Sequence, residues 1–147
     1  MKIAIATDHG AIALKKTLIA YLEGKGHEVV DFGAYEPVSS DYPIYAAAAG
    51  RAVAKGECQR GIVLCTTGIG MSIAANKVKG IRCALLSDVK SAEMTRLHND
   101  TNMMALGANV TPEDVALQIV DTWLATEFSG EERHVRRIGM VMALENE

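Results

Sequence analysis

Five short runs of β-branched or apolar residues alternate with longer helical patterns from one end of this 147-residue chain to the other. The runs are Ile3 to Ala6, Glu28 to Phe32, Gly61 to Cys65, Ile81 to Leu86 and Asn102 to Leu106. Such alternation is typical of βαβ units, and continuous apolar strands need helices on both faces of the sheet. No proline- or serine-rich linker divides the chain, so residues 1–147 are expected to form one domain.

The segments between the runs carry helix signals. Leucines recur at every fourth position from Leu14 to Leu22, and Gly24 follows as a stop signal. Asp41-Tyr42-Pro43 opens an alanine-rich stretch, and Thr111-Pro112-Glu113 has the same form of a helix start. We therefore predict an α/β fold, a three-layer doubly wound (Rossmann-like) domain with a five-stranded parallel sheet in the order 2-1-3-4-5.

Composition excludes several classes of protein. The formal net charge is −3 and no basic run is present, so nucleic acid is not an expected partner. No apolar run approaches the roughly 18 residues of a membrane span, and the amino-terminal apolar run is too short for a signal peptide. Three cysteines without a CxxC pair indicate neither a disulfide framework nor a zinc site. These features predict a cytoplasmic protein that contacts no membrane.

Polar residues follow the first and third strands at their carboxyl ends, where an open parallel sheet binds its ligands. Asp8 follows the first strand, and it either caps the next helix or takes part in chemistry. The third strand leads into a glycine-containing loop whose amide hydrogens can converge on an anion at a helix amino terminus. The loop lacks the third glycine of a dinucleotide fingerprint, since Ile73 stands there, and it lacks the Gly-Lys-Ser/Thr ending of a Walker A motif. Its residues are Thr66, Thr67, Gly68, Ile69 and Gly70.

Cys65 lies between the third strand and this loop. Oriented amide donors at such a position favour a reactive thiolate, whereas a free cysteine elsewhere is commonly a small core residue. The position favours a functional role for Cys65. Cys83 lies inside the fourth predicted strand and is expected in the core, and Cys58 falls in a polar turn.

His98 and Asn99 come shortly before the fifth strand, in what is either an ordinary loop or part of a site. Residues that precede a strand lie at its amino end, roughly 17–20 Å from the carboxyl end where Cys65 is expected. His98 could then join Cys65 only across a two-fold interface between subunits. The sequence therefore predicts a homodimer.

The densest cationic cluster lies in the last predicted helix, at about residues 131–146. Arg133 and Arg137 are four residues apart, so a helix places both guanidinium groups on one side, where they suit a phosphate monoester. The alternative is a solvated helix face on which these arginines pair with Glu131 and Glu132. We expect this helix to pack on or across the dimer.

Together these motifs resemble the ribose-5-phosphate isomerase B family, which includes galactose-6-phosphate isomerase subunits and enzymes of allose 6-phosphate. The resemblance covers nearly the whole chain in order and rests on five segments: Asp8-His9-Gly10, Asp41-Tyr42-Pro43, Cys65 to Lys77, His98-Asn99-Asp100 and Arg133-His134. It implies the fold predicted above, active sites shared between two subunits, and an aldose–ketose isomerase that interconverts ribose 5-phosphate and ribulose 5-phosphate.

The resemblance also implies roles for individual residues. Cys65 would be the base that moves a proton between carbons 1 and 2, and Thr67 would help to move protons between the two oxygens. His98 of the partner chain, assisted by Asp8, would open the furanose ring. No cofactor and no metal is implied, because the loop dipoles take the role of a cation. The substrate-binding residues would be His9, Tyr42, Thr66, Gly68, Ile69, Gly70, Asn99, Arg133 and Arg137.

Two positions depart from the family pattern. Thr66 stands where the family usually has glycine, and Asn109 stands where many members have an arginine that adds to phosphate binding. A hexose phosphate or a free aldose therefore remains an alternative substrate. A non-catalytic sugar-phosphate-binding module and a subunit that needs a different homologous chain are further alternatives, and the choice between dimer and tetramer stays open.

Overall fold

The computed structural model describes residues 1–147 and contains five strands and six helices. The strands are β1 (Lys2–Thr7), β2 (Glu28–Asp31), β3 (Arg60–Cys65), β4 (Cys83–Leu85) and β5 (Met103–Gly107). The helices are α1 (Ile12–Gly24), α2 (Tyr42–Ala54), α3 (Ile69–Asn76), α4 (Val89–Asn99), α5 (Glu113–Ala125) and α6 (Glu132–Ala143), and a 3-10 turn, Leu144–Asn146, follows α6. All strand pairs are parallel.

The sheet carries helices on both faces, which confirms the predicted α/β layers. Alternate residues of β1 show why: Ile3 and Ile5 pack in a core cluster with α1 and α5, whereas Ala4 and Ala6 pack in a second cluster with α2 and α3. Side chains of a strand point alternately to opposite faces, so a strand that is apolar at every position needs cover on both. The alanines on the second face allow α2 and α3 to lie close to the sheet.

The strand order is 2-1-3-5-4, so the predicted order 2-1-3-4-5 is wrong at one edge. All five residues of β5 are buried, and β5 pairs with β3 on one side and β4 on the other. By contrast, β4 has only three residues, and none of them is fully buried. The longer apolar strand occupies the interior because burying it removes more apolar surface from water, and the short strand forms the edge.

The carboxyl-terminal helix α6 packs beside α4 and leaves most of its apolar side exposed. His134 is its only buried residue, whereas Val135, Met140 and Val141 are each more than half exposed. An apolar patch of this kind on a globular protein commonly marks a contact surface. None of the helices combines the length and the apolar character that spanning a bilayer requires.

Candidate active site

The carboxyl ends of the three central strands meet at one edge of the sheet. Cys65, the last residue of β3, is in register with Gly107 of β5, and Thr7 of β1 is in register with Leu64. Asp8 therefore follows a strand that lies directly beside the one ending in Cys65. The structure brings the Asp8 turn and the Cys65 loop together, as parallel strand ends require.

Asp8 is almost fully buried and holds its own turn, not helix α1. Its Oδ1 accepts a hydrogen bond from the Gly10 amide at 2.7 Å, and α1 begins after Ala11 without any side-chain cap. Thr66 Oγ1 lies against Gly10, where a side chain on residue 10 would collide with it. His9 is exposed beside this turn, and its Nδ1 accepts from the Ser40 amide at 3.3 Å.

The Cys65 loop forms the centre of the candidate site. Cys65 Sγ accepts a hydrogen bond from the Gly68 amide at 3.0 Å, and the residue is 7% exposed. Thr66 and Thr67 are exposed, and their amides donate no hydrogen bond within the chain. Free amides at the amino terminus of α3 lie beside the sulfur, an arrangement that stabilises an oxyanion and a thiolate.

The segment after β5 is joined to the backbone of this loop by two hydrogen bonds. The amide of Ala108 donates to the Cys65 carbonyl at 2.9 Å, and the amide of Asn109 donates to the Thr66 carbonyl at 3.0 Å. The Asn109 side chain itself is exposed. These bonds fix the backbone on which the reactive sulfur and the free amides lie.

Tyr42 forms one wall of the site. A Cβ placed on Gly70, in the first turn of α3, would lie about 3 Å from three carbons of the Tyr42 ring. Glycine at this position lets the aromatic ring lie directly on the helix backbone. Ile69 is half exposed on the adjoining turn, so Tyr42 and Ile69 offer apolar surface next to the free amides of the Cys65 loop.

Gly68 takes a backbone conformation that other residues rarely adopt, with φ of +78°. A Cβ there would lie 2.8 Å from the carbonyl carbon of Leu106, in the backbone of β5, and the backbone cannot move aside. We expect Gly68→Ala to lower the free energy of unfolding by about 2–5 kcal/mol, from left-handed strain and overpacking together. Urea denaturation would measure the change.

Gly24→Ala is the matched control, since a Cβ on Gly24 has no heavy atom within 4 Å and its φ is not positive. We expect that change to be neutral or stabilising by up to about 1 kcal/mol, because Gly24 ends helix α1. Equal urea midpoints for the two variants would contradict the strain assigned to Gly68.

The other two cysteines differ from Cys65. Cys58 is 2% exposed and packs in the core cluster beneath α2, although it lies in a polar turn of the sequence. Burial raises the pKa of the Cys58 thiol, and it raises the pKa of the Cys83 thiol to about 12. Both thiols are therefore protonated at neutral pH. Cys83, expected in the core, is only partly buried in the edge strand β4 and packs against the same core cluster.

A groove of about 760 Å³ lies at the opposite edge of the sheet, between α4, α6 and the amino ends of β4 and β5. Among its lining residues are His98, Asn99, His134 and Arg137. The structure thus places Arg137 with the predicted ring-opening histidine and with Asn99. Neither Cys65 nor the residues of its loop line this groove.

His98 and His134 contact each other within the groove. Their ring centroids are 4.5 Å apart, and His134 Nδ1 lies 3.0 Å from the hydroxyl of Ser129. His134 is buried, whereas His98 is exposed at the end of α4. From the sequence, His134 is named only in the Arg133-His134 segment of the family resemblance and this contact is not predicted, since nothing near residue 134 points to residue 98.

Arg133 does not line the groove. It is exposed, and its Nε donates to Glu131 Oε2 at 2.9 Å. Arg133 therefore has the alternative role considered for this helix face, a surface ion pair with Glu131. Arg137 makes no ion pair and faces the groove, so the two arginines have different surroundings.

The predicted site residues other than Arg133 therefore fall into two half-sites at opposite edges of one sheet, and His134 joins the second of them. The carboxyl half-site comprises Asp8, His9, Tyr42, Cys65 and the loop from Thr66 to Gly70, and the amino half-site comprises His98, Asn99, His134 and Arg137. Strand β5 has five residues, so the edges are roughly 17 Å apart. No group of three or more His, Cys, Asp or Glu side chains is placed to hold a metal ion.

Residues 3–141 match the family model described as Ribose/Galactose Isomerase, which leaves only a few residues at each end unmatched. The chain belongs to the ribose/galactose isomerase family. The resemblance that the motifs indicated is thereby confirmed, and the chain is an aldose–ketose isomerase.

Individual members of the family are similar over almost their whole length. Ribose-5-phosphate isomerase B of Escherichia coli is 44% identical, with 98% of this chain and 96% of the relative covered. D-erythrulose-4-phosphate isomerase of Pectobacterium atrosepticum is 45% identical, with coverage of 88% and 86%. The solved structure of ribose-5-phosphate isomerase B from Clostridium thermocellum superposes on this isomerase with a TM-score of 0.97, at 49% identity and with 99% and 98% of the two chains covered.

Proposed function

We propose that this isomerase interconverts ribose 5-phosphate and ribulose 5-phosphate by proton transfer at Cys65. The observation that carries the proposal is the Cys65 loop, in which a thiol with residual exposure lies beside unbonded amides at a helix amino terminus. Proton removal next to a carbonyl needs a base together with donors aimed at the oxygen that becomes negative. The names of the Escherichia coli and Clostridium thermocellum relatives support this choice of substrate.

The steps follow from that geometry. The Cys65 thiolate removes the proton from carbon 2 of the open-chain aldose, and the electron pair shifts to leave an enediolate whose oxygen 1 is negative. The free amides stabilise this charge. Thr67 helps a proton to pass from oxygen 2 to oxygen 1. The Cys65 thiol then returns its proton to carbon 1, and a carbonyl forms at carbon 2.

Ring opening must precede these steps, because the aldose is mainly a furanose. We assign it to His98, assisted by Asp8, and since the two lie at opposite edges of one sheet, His98 would come from a second copy of the chain. Arg137 would then bind the phosphate beside the Cys65 loop of that copy, with His9 and Arg133. Tyr42 and Asn99 would contact the sugar.

This arrangement needs at least a homodimer with two shared sites. Val141 of α6 lines the amino half-site groove and is more than half exposed, which supports an interface there. A two-fold axis places the carboxyl half-site of each copy against the amino half-site of the other. A dimer of residues 1–147 that acts on sugar phosphates in the cytoplasm, or a tetramer built from such dimers, fits the proposal.

The proposal also specifies which sugar phosphate the isomerase prefers. The Pectobacterium relative is named for D-erythrulose 4-phosphate, a sugar phosphate with four carbons, whereas ribose 5-phosphate has five. Relatives of this chain are thus named for sugars of different length. Thr66 and Asn109 are exposed next to the Cys65 loop, and both can alter the shape of the pocket. Isomerases of allose 6-phosphate, galactose 6-phosphate or a free aldose are the alternatives.

The direct test is the reaction of the purified protein with ribose 5-phosphate in deuterium oxide. We expect ribulose 5-phosphate that carries solvent deuterium at carbon 1, detected by NMR, and a higher kcat/KM than with allose 6-phosphate, galactose 6-phosphate or ribose. A higher kcat/KM with one of those sugars than with ribose 5-phosphate would make that sugar the preferred substrate. Binding of all of them without any exchange of carbon-bound hydrogen would reject the enzyme in favour of a sugar-phosphate-binding protein.

A further inference from the structure

Arg82 lies just before β4, lines the amino half-site groove and is largely buried. Its guanidinium holds the end of helix α4: Nε donates to the Asn99 carbonyl at 2.9 Å and Nη2 donates to the Asp100 carbonyl at 2.7 Å. Carbonyls in the last turn of a helix have no partner within the helix, so they need donors from elsewhere. The forked donors of Arg82 supply two of them.

The turn that Arg82 holds contains a left-handed residue. Asp100 is the only residue other than glycine with a positive φ, at 44°, in a region that few residue types besides glycine, asparagine and aspartate adopt. A second arginine holds the same turn from the other side, since Arg96 Nη1 donates to Asp100 Oδ1 and to the Thr101 carbonyl, each at 2.7 Å. Two arginines thus bind the residues that end α4 and lead into β5.

Arg82 also reaches the neighbouring helix. Its Nη1 lies 3.3 Å from Met142 Sδ at the end of α6, the helix that carries Arg137 and His134. One guanidinium thus contacts both elements that form the amino half-site. His98 itself is exposed at the end of α4, and its ring has one aromatic neighbour, His134.

We propose that Arg82 is a positioning residue for ring opening: it fixes the end of α4 against α6 and so orients His98 and Asn99. The inference rests on the proposed function. A lysine would not replace Arg82, because an ammonium lacks the planar fork that spans two carbonyls and a third contact. Displacement of a catalytic group by about 1 Å can cost roughly 100-fold in rate, so small movements of this turn matter.

The experiment uses two substrates that differ in their need for ring opening. Ribose 5-phosphate is mainly cyclic, whereas ribulose 5-phosphate cannot close a furanose, since its carbon-5 oxygen carries the phosphate. We expect Arg82→Gln and Arg82→Lys to lower the kcat for isomerisation of ribose 5-phosphate about 10- to 100-fold. Exchange of the carbon-1 proton of saturating ribulose 5-phosphate with solvent deuterium should change by less than about threefold.

Three other variants serve as references and as a control for this experiment. His98→Asn should reproduce the pattern of the Arg82 variants, and Cys65→Ala should lose both reactions. Arg51→Gln is the matched control, because Arg51 is an exposed arginine of α2 whose side chain makes no hydrogen bond or ion pair, and it should keep both.

Each outcome decides the inference. Isomerisation of ribose 5-phosphate that stays within about threefold of wild type in Arg82→Gln would overturn it. An equal loss of both reactions, or a failure of both Arg82 variants to fold, would also overturn it, since Arg82 would then serve only the structure. Failure of the proposed function is distinguishable, because the wild-type protein would then show neither reaction.

Discussion

Cys65→Ala is expected to lower the turnover of ribose 5-phosphate about 10²- to 10⁴-fold, the usual contribution of a general base. The change removes the sulfur that accepts the Gly68 amide, and with it the group placed to take the proton from carbon 2. Binding of the sugar phosphate should be nearly unchanged, because the amides and the arginines remain. Steady-state kinetics and calorimetry with ribulose 5-phosphate would separate the two effects, since a base acts on kcat.

Cys58→Ala is the matched control for that experiment. Cys58 is also a buried thiol, but it lies beneath α2, outside both half-sites. Removing its sulfur should cost a little stability and leave turnover at the wild-type level. If Cys65→Ala kept wild-type turnover, the base would be another group and the proposed mechanism would be wrong.

An equimolar mixture of Cys65→Ala and His98→Ala chains is expected to recover about one quarter of wild-type activity, although each variant alone is inactive. Random exchange makes half of the dimers mixed. In each mixed dimer one site receives both substitutions, and the other combines an intact Cys65 with an intact His98 from the other chain. This expectation follows from the position of the two residues at opposite edges of a single sheet.

A mixture of Cys65→Ala and Thr67→Ala chains is the control. Both residues lie in the same loop, so every mixed dimer has one damaged copy of that loop in each site, and no activity should return. Subunit exchange would be verified with a tag on one variant and mass spectrometry. Rescue in the control, or no rescue with His98→Ala despite complete exchange, would contradict shared sites.

Several features of this isomerase could be predicted because they depend on neighbouring residues. The apolar run that ends in Cys65 is a strand, and the leucines from Leu14 to Leu22 form the buried stripe of α1. The position of His98 before β5 follows from the same periodicity. Parallel strands then place Asp8 and Cys65 at one edge without any knowledge of side-chain contacts.

The predicted strand order failed because distant segments compete for the same place in the sheet, and the surroundings of Asp8 and Cys58 were left open by the sequence. Strands β4 and β5 both follow a helix that could deliver them beside β3, and only the packing of the whole sheet selected the more apolar β5. From the sequence Asp8 was equally suited to cap α1, but in the structure its carboxylate accepts a hydrogen bond from the Gly10 amide and does not cap the helix. Cys58 lies in a polar turn, yet it is buried because its side chain packs beneath α2.

The succession of strands and helices along the chain, the loop after Cys65 and the separation of that loop from His98 were all readable in the amino-acid pattern, since backbone conformation and periodicity are local properties. The contacts around His98 were not. Arg82 precedes Asn99 by 17 residues and His134 follows His98 by 36, and no local signal joins positions so far apart in the chain. Their meeting depends on how α4, β4 and α6 pack together, which is a property of the folded molecule alone.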